Sequence, residues 1–418
     1  MGRETFYFFA ELSFDLAIWN GLATIIRGLK PEARLELVYS LEKRFDNYDL
    51  NKLTNIYDKV HYIRGSSFFK NSNWKDGLTL RNIFFALYKN FPDALRTRKD
   101  LNNIDYSYNS IAFVHGGKTL NQAIFLKRVK SDKRVKSVLL TYADFYISPF
   151  LADWYINKKQ SMLLNMYMYL FGPALLDVYW VKTPKNIRTN LRHFIFRQKP
   201  ADFVFDPVYP IRYIKPKNDR VYLPLPQIKK APNQSSKGTV MFVGGGYHFL
   251  GGLPKEVEGI FFRKLNKIID LIRIKHNKQR LLFKSHPSQT EDDLKMLDLD
   301  GFEIESSTSS EVLFLYDFSL EAVYSFHSTS TKSAACLGIP SFFVYNLFDL
   351  DELCLPKTVQ RHWNDRCISE VYPQMNIKSI DDWMNGKNDY IPIDLTKKIW
   401  DSTKKMIDSI IKETGSTI

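Results

Sequence analysis

The chain alternates short apolar runs with longer stretches in which apolar positions recur every three or four residues. After residue 238 the alternation is regular. Apolar runs at Thr239–Val243, Arg280–Lys284, Phe302–Glu305, Ala322–Phe326 and Ser341–Tyr345 predict strands. Between the first two, Ile260, Phe261, Leu265, Ile268, Ile269 and Ile272 share one face of a helix over Lys255–Lys275. Shorter helical patterns cover Glu291–Leu297, Ser310–Tyr316 and Thr331–Leu337. Strands separated by helices pair in parallel, so this half reads as a Rossmann-like sheet with helices on both faces.

The first half is less regular but similar in kind. Its predicted strands are Thr5–Phe9, Leu35–Tyr39, Lys59–Ile63, Ile111–Val114, Ser137–Thr141 and Val178–Lys182, with helical patterns over Leu80–Phe91 and Leu120–Lys127. Leu223–Gly238 is rich in Pro, Lys, Ser and Asn, can bury little, and marks the boundary. The expected organisation is a first Rossmann-like domain over 1–224, a linker over 225–238, a second over 239–394, and an amphipathic C-terminal helix over 395–418. This is the α/β, GT-B class: two Rossmann-like domains facing across a cleft, with the last helix crossing back to the first.

Composition changes this picture in one respect. The 418 residues carry a net charge of +14. The surplus is segregated: residues 1–237 stand at +18 and residues 238–418 at −4. A basic half suggests a polyanionic partner, either an anionic membrane surface or an acidic glycan. Arg and Lys crowd at Lys127–Lys136, a pattern that is also an ordinary solvated face. Three cysteines (Cys336, Cys354, Cys367) provide neither a disulfide framework nor a CxxC metal pair, which fits a reducing compartment. The N-terminal apolar run contains acidic residues, unlike a signal peptide. Met162–Val181 is apolar but broken by Asn165, Gly172-Pro173 and Asp177, which suits a buried helix or an interfacial contact better than a membrane span.

In open α/β sheets ligands bind beyond the carboxyl ends of strands. Three segments of the second half qualify. Gly244, Gly245 and Gly246 follow the first strand and allow close backbone approach, although such turns need not bind anything. Lys284-Ser285-His286-Pro287 ends the second strand; its imidazole can contact a phosphate oxygen or simply satisfy backbone groups in a turn. His327-Ser328-Thr329-Ser330 precedes a small-residue helix that stops at Gly338. Those hydroxyls can cap the helix, and with the free N–H groups they can also hold a phosphate. In the first half, Asp144 follows the strand Ser137–Thr141, and His115 and Lys118 lie in the loop after Ile111–Val114, on the acceptor side. Glu11, after the first strand, is a further carboxylate there.

KSHP at 284–287 and SFHSTSTKSAACLGIP at 325–340 together resemble the HP and Ser-Ser/Thr motifs of bacterial GT-B sialyltransferases, including the polysialyltransferase-like family. VMFVGGGYHFLGG resembles the strand and loop that open their nucleotide domain. The resemblance implies a CMP-sugar donor, held by His286 and by Ser328, Thr329 and Ser330, and a carboxylate base in an acidic motif followed by Gly. Asp144 stands at the corresponding place, but the Gly is missing.

The expected activity is therefore inverting transfer of a sialic-acid-type sugar from CMP to a glycan or lipid-linked acceptor, in surface polysaccharide or lipooligosaccharide synthesis. No metal and no cofactor is expected, since the CMP-sugar is a substrate. The expected location is cytoplasmic, peripheral at the inner face of the cell membrane. CMP-Kdo transfer and CDP-glycerol glycerophosphotransfer use similar motifs and remain alternatives. A non-catalytic nucleic-acid or membrane binder is the alternative of another class. No nucleic-acid partner is expected, because no nucleic-acid-binding motif accompanies the charge.

Overall fold

The computed structural model describes residues 3–11, 13–41, 54–64, 95–115, 120–142, 202–206, 220–224, 238–245, 255–286, 289, 291–306, 308, 310, 313–314, 319–348, 352–353, 375–387 and 395–415. The predicted strand Val178–Lys182, the helix Leu80–Phe91 and the apolar segment Met162–Val181 lie outside them.

The first sheet has seven strands: β1 (Thr5–Ala10), β2 (Arg34–Leu41), β3 (Lys59–Arg64), β4 (Ser110–His115), β5 (Val135–Tyr142), β6 (Phe203–Asp206) and β7 (Arg220–Tyr222). They lie in the order β3-β2-β1-β4-β5-β6-β7, and every pair is parallel. β1 is central, so all six residues of TFYFFA are buried and the strand reads as an unbroken apolar run. Alternate side chains serve opposite faces. Phe6, Phe8 and Leu35 meet Leu16, Trp19 and Ile26 of helix α1 (Ser13–Leu29) on one side. Tyr7, Phe9 and Val114 meet Ile124, Phe125 and Val129 of helix α2 (Leu120–Lys130) on the other. The Trp19 indole N–H donates to Phe9 O at 2.7 Å, fixing α1 over its own strand.

The second sheet has five strands: β8 (Thr239–Val243), β9 (Arg280–Lys284), β10 (Glu303–Glu305), β11 (Leu320–Ser325) and β12 (Ser341–Phe343). Their order is β10-β9-β8-β11-β12, again parallel throughout. Helix α3 (Lys255–Lys275) buries the predicted stripe at Phe261, Leu265, Ile268, Ile269 and Ile272. Three shorter helices are α4 (Glu291–Lys295), α5 (Thr329–Cys336) and α6 (Ile380–Met384).

The last helix, α7 (Thr396–Gly415), returns to the first sheet as expected. Ile399, Thr403, Met406, Ile407 and Ile410 form its buried face. Ser402 Oγ accepts from the Tyr222 N–H at 3.2 Å, and Lys136 Nζ donates to Ile410 O at 3.2 Å and pairs with Glu413 at 2.8 Å. Trp400 passes so close to Gly28 of α1 that a Cβ there would lie 2.8 Å from its ring. Two parallel α/β sheets tied by a returning C-terminal helix are the GT-B class. Among the described residues no helix is long and apolar enough to cross a membrane.

Candidate functional site

Strand order locates the loops that matter. In the first sheet the chain leaves β1 toward β2 and β3, then returns to place β4 on its other side. In the second it leaves β8 toward β9 and β10, then returns to place β11 opposite. These reversals leave crevices between the loops after β1 and β4, and between those after β8 and β11. The sequence-predicted loops occupy both: Glu11 and His115 in the first, Gly244–Gly245 and His327–Ser330 in the second.

Two of the three second-domain loops, those after β8 and β9, are linked by a hydrogen bond. The Gly244 N–H donates to Lys284 O at 2.8 Å, joining the ends of β8 and β9. The Ser285 N–H donates to Glu305 O at 3.0 Å, fastening the next turn to β10. Lys284 is buried, and its Nζ donates to Ser285 O at 2.6 Å, placing a cation beneath the loop. His286 is partly exposed; its N–H donates to Gln289 Oε1 at 3.0 Å, and the Gln289 N–H donates to His286 O at 2.9 Å. Gly244 and Gly245 are buried; Gly246 and Pro287 lie outside the described residues.

After β11 the chain turns at once into α5. The strand ends at Ser325, one residue earlier than the apolar pattern suggested, because Ser325 Oγ is already committed to the turn. It accepts from the Ser328 N–H at 2.9 Å and shares a 2.6 Å hydrogen bond with Thr331 Oγ1. Ser328 is the N-cap, extended at φ −77° and ψ 142°, and its side chain accepts from the Ser330 N–H at 3.2 Å. The capping role of this Ser/Thr cluster is therefore realised in the fold. Thr329 opens α5, and the Thr331 N–H in its first turn donates to Ser328 O at 3.2 Å. Gly338, at φ 78°, ends the helix: the Gly338 N–H donates to Ala335 O and the Ile339 N–H to Ala334 O, both at 3.0 Å. Only glycine takes that left-handed position without strain.

Two residues escaped the sequence reading. Lys332, one turn into α5, is 1% exposed, and its signal was a lysine within the otherwise small and neutral TSTKSAAC. Gln289 bridges the Gly244 and His286 loops and had no signal in sequence.

In the first domain Glu11 is buried just beyond β1. Its Oε1 accepts from Asn121 Nδ2 at 2.8 Å, and its N–H donates to Asp15 Oδ2 at 3.2 Å in the first turn of α1. His115 ends β4 in register with Leu140. Lys118 and Asp144 lie outside the described residues. Among the described residues no group of three or more His, Cys, Asp or Glu gathers as a metal-ligand set.

No protein-family model matches the chain. No curated protein matches either. Solved structures do. The calicheamicin glycosyltransferase CalG4 is 11% identical, with 99% of each chain covered and a TM-score of 0.45. A UDP-GlcNAc 2-epimerase from Neisseria meningitidis, bound to UDP-GlcNAc, is 10% identical over 98% of this chain and 100% of its own, with a TM-score of 0.42. The ADP-heptose lipopolysaccharide heptosyltransferase II of E. coli is 10% identical over 82% of this chain and 84% of its own, with a TM-score of 0.34. At such identities and scores these are likenesses of chain outline and carry no chemistry.

Proposed function

We propose that this protein is a glycosyltransferase moving a sialic-acid-type sugar from a CMP donor to a glycan hydroxyl with inversion. One observation carries the reading. The KSHP and HSTST loops, whose sequences resemble sialyltransferase motifs, leave the strands on either side of β8 at the same carboxyl edge, with Gly244 between them.

In this reading the second domain holds the nucleotide. Gly244, Gly245 and Gly246 let its backbone approach, Ser328, Thr329 and Ser330 with the first turn of α5 take the phosphate oxygens, and Lys284 adds charge beneath them. His286 stabilises departing CMP, which leaves with the bonding electrons of the C2–O bond. A carboxylate of the first domain, Asp144, takes the acceptor proton as the hydroxyl attacks. His115 and Lys118 line the acceptor side. The acceptor is a growing surface glycan or its lipid-linked form, reached from the cytoplasmic face of the membrane. The site asks for no metal or cofactor.

The test is release of CMP. Wild-type protein is incubated with CMP-sialic acid, CMP-Kdo, CDP-glycerol, UDP-sugars and ADP-heptose, and nucleotide release is followed. CMP release from CMP-sialic acid, lost in His286→Ala with the melting temperature kept, is the expected result. Undiminished turnover in His286→Ala, or release from another donor alone, refutes the assignment. Asp144→Asn should abolish transfer while keeping CMP binding; if Glu11→Gln does so instead, Glu11 is the base.

A further inference from the structure

Gln289 joins two of the nucleotide loops, and its side-chain nitrogen has no acceptor among the described residues. The turn from His286 to Gln289 is closed twice, by the Gln289 N–H to His286 O and by the His286 N–H to Gln289 Oε1. The second bond fixes the sense of the amide. Only the oxygen can face an N–H donor, so Nε2 points the other way. Nε2 is buried and has no hydrogen-bond partner among the described residues. The same side chain is wedged against the end of β8, where a Cβ on Gly244 would lie 2.5 Å from Oε1 and 3.3 Å from Cδ. A two-donor nitrogen is thus held rigidly at the edge where a parallel sheet takes its ligand. Burying it unpaired is unfavourable.

We propose that Gln289 Nε2 donates a hydrogen bond to an oxygen of the bound nucleotide and sets which nucleotide the loop accepts. This rests on the reading of the second domain as a nucleotide-sugar site. The partner is a hydrogen-bond acceptor oxygen, supplied by the phosphate or by the base carbonyl. Nitrogen donors held in place by their own loop discriminate sharply, because a ligand lacking the oxygen leaves them buried and unpaired.

Calorimetric titration of CMP, cytidine and UDP into the full chain tests the assignment in wild type, Gln289→Met and Gln289→Glu. Gln289→Met keeps the volume and removes both the donor and the acceptor of the His286 N–H. Gln289→Glu keeps an oxygen for the His286 N–H and turns a second oxygen toward the ligand. CMP binding should weaken about tenfold in the Met variant, the worth of one hydrogen bond, and at least as much in the Glu variant. The Met variant also leaves the His286 N–H without its acceptor, so its melting temperature should fall slightly, while the Glu variant, which keeps that acceptor, should hold the wild-type value. A matching loss for cytidine places the acceptor on the base; a loss for CMP alone places it on the phosphate. Equal CMP affinity in all three proteins overturns the assignment, as does a binding loss accompanied by a lower melting temperature in both variants. A wild type that binds none of the three ligands overturns the nucleotide-site reading itself, a different failure from wild-type binding unaltered in the variants.

Discussion

Gly244→Ala is the sharpest probe of how the Gly244 and His286 loops fit together. The new Cβ would sit 2.5 Å from Gln289 Oε1 and 2.9 Å from Phe283 Cζ, closer than real Cβ contacts allow. Gln289 can yield only by releasing the His286 N–H, a loss of about 1 kcal/mol. Phe283 is fully buried and stacked on Phe242 at 5.9 Å, so its displacement is overpacking, about 1–3 kcal/mol. The lower entropy of the unfolded Ala chain returns about 0.4–1 kcal/mol. The net loss is then roughly 1–3 kcal/mol, a fall in melting temperature of about 3–10 °C for a unit of this size. Differential scanning calorimetry of the full chain measures it, with CMP titration alongside. A double-mutant cycle with Gln289→Ala isolates the contact and should show a coupling of about 1 kcal/mol. Unchanged stability in Gly244→Ala, or strict additivity with Gln289→Ala, would refute the packing described.

Ser328→Ala should cost about 1 kcal/mol in urea denaturation by removing the cap on α5; a neutral effect would mean that the 3.2 Å bond to the Ser330 N–H contributes nothing. Gly338→Ala forces a Cβ into φ 78° and should cost about 1–2 kcal/mol, with Gly338→Asn milder; equal losses would contradict a left-handed stop. Burial, and secondly the charge of Lys275, push the His276 imidazole down to about 4 from its ordinary 6.5, while its Nε2 lies 2.9 Å from Tyr324 Oη. The unfolded chain takes the proton first, so the contribution is complete above pH 6.5 and is lost as pH falls toward 4. For a partly exposed ring this is about 1–2 kcal/mol, and His276→Gln should flatten the denaturation midpoint across that window. An unchanged slope would count against it.

The second domain was legible because short apolar runs alternate with helical patterns, and its long helix has one clear stripe. Among the described residues, the first domain hid α1, β6 and β7. In α1, SFDLAIWNGLATIIRGL is apolar on most sides, because the helix is buried between β1 and α7, and so lacks a contrasting polar face. β6 and β7 have only four and three residues, too few to show a period, and they exist through pairing with β5 and each other. At the site, residue type was readable and arrangement was not. Ser328 and Gly338 follow local capping chemistry, which sequence records. Gln289 owes its place to Gly244, 45 positions earlier, through a contact that exists only once β8 and β9 have paired.

The basic segment Lys127–Lys136 shows what happens to charge when a chain folds. Arg134 and Arg128 both grip Asp132, at 2.9 and 3.2 Å, and the Arg134 guanidinium leads in holding that carboxyl down to about 2. Arg134 also reaches Asp105 at 3.0 Å, and Lys136 ties α7 to the first sheet. Val129 and Val135 between them are buried. Half of the cations thus hold the domain together, and Lys127, Lys130 and Lys133 are exposed. If the surplus of the first domain recruits an acidic acceptor or an anionic membrane, Lys127→Gln with Lys133→Gln should weaken binding to phosphatidylserine vesicles or polysialic acid. That loss should shrink with salt and leave the melting temperature alone. Arg134→Gln, by contrast, should lower the melting temperature and leave binding at moderate salt nearly intact. If Arg134→Gln abolishes binding at unchanged stability while the double lysine variant binds normally, Arg134 does not tie the domain together and the whole segment is the docking face.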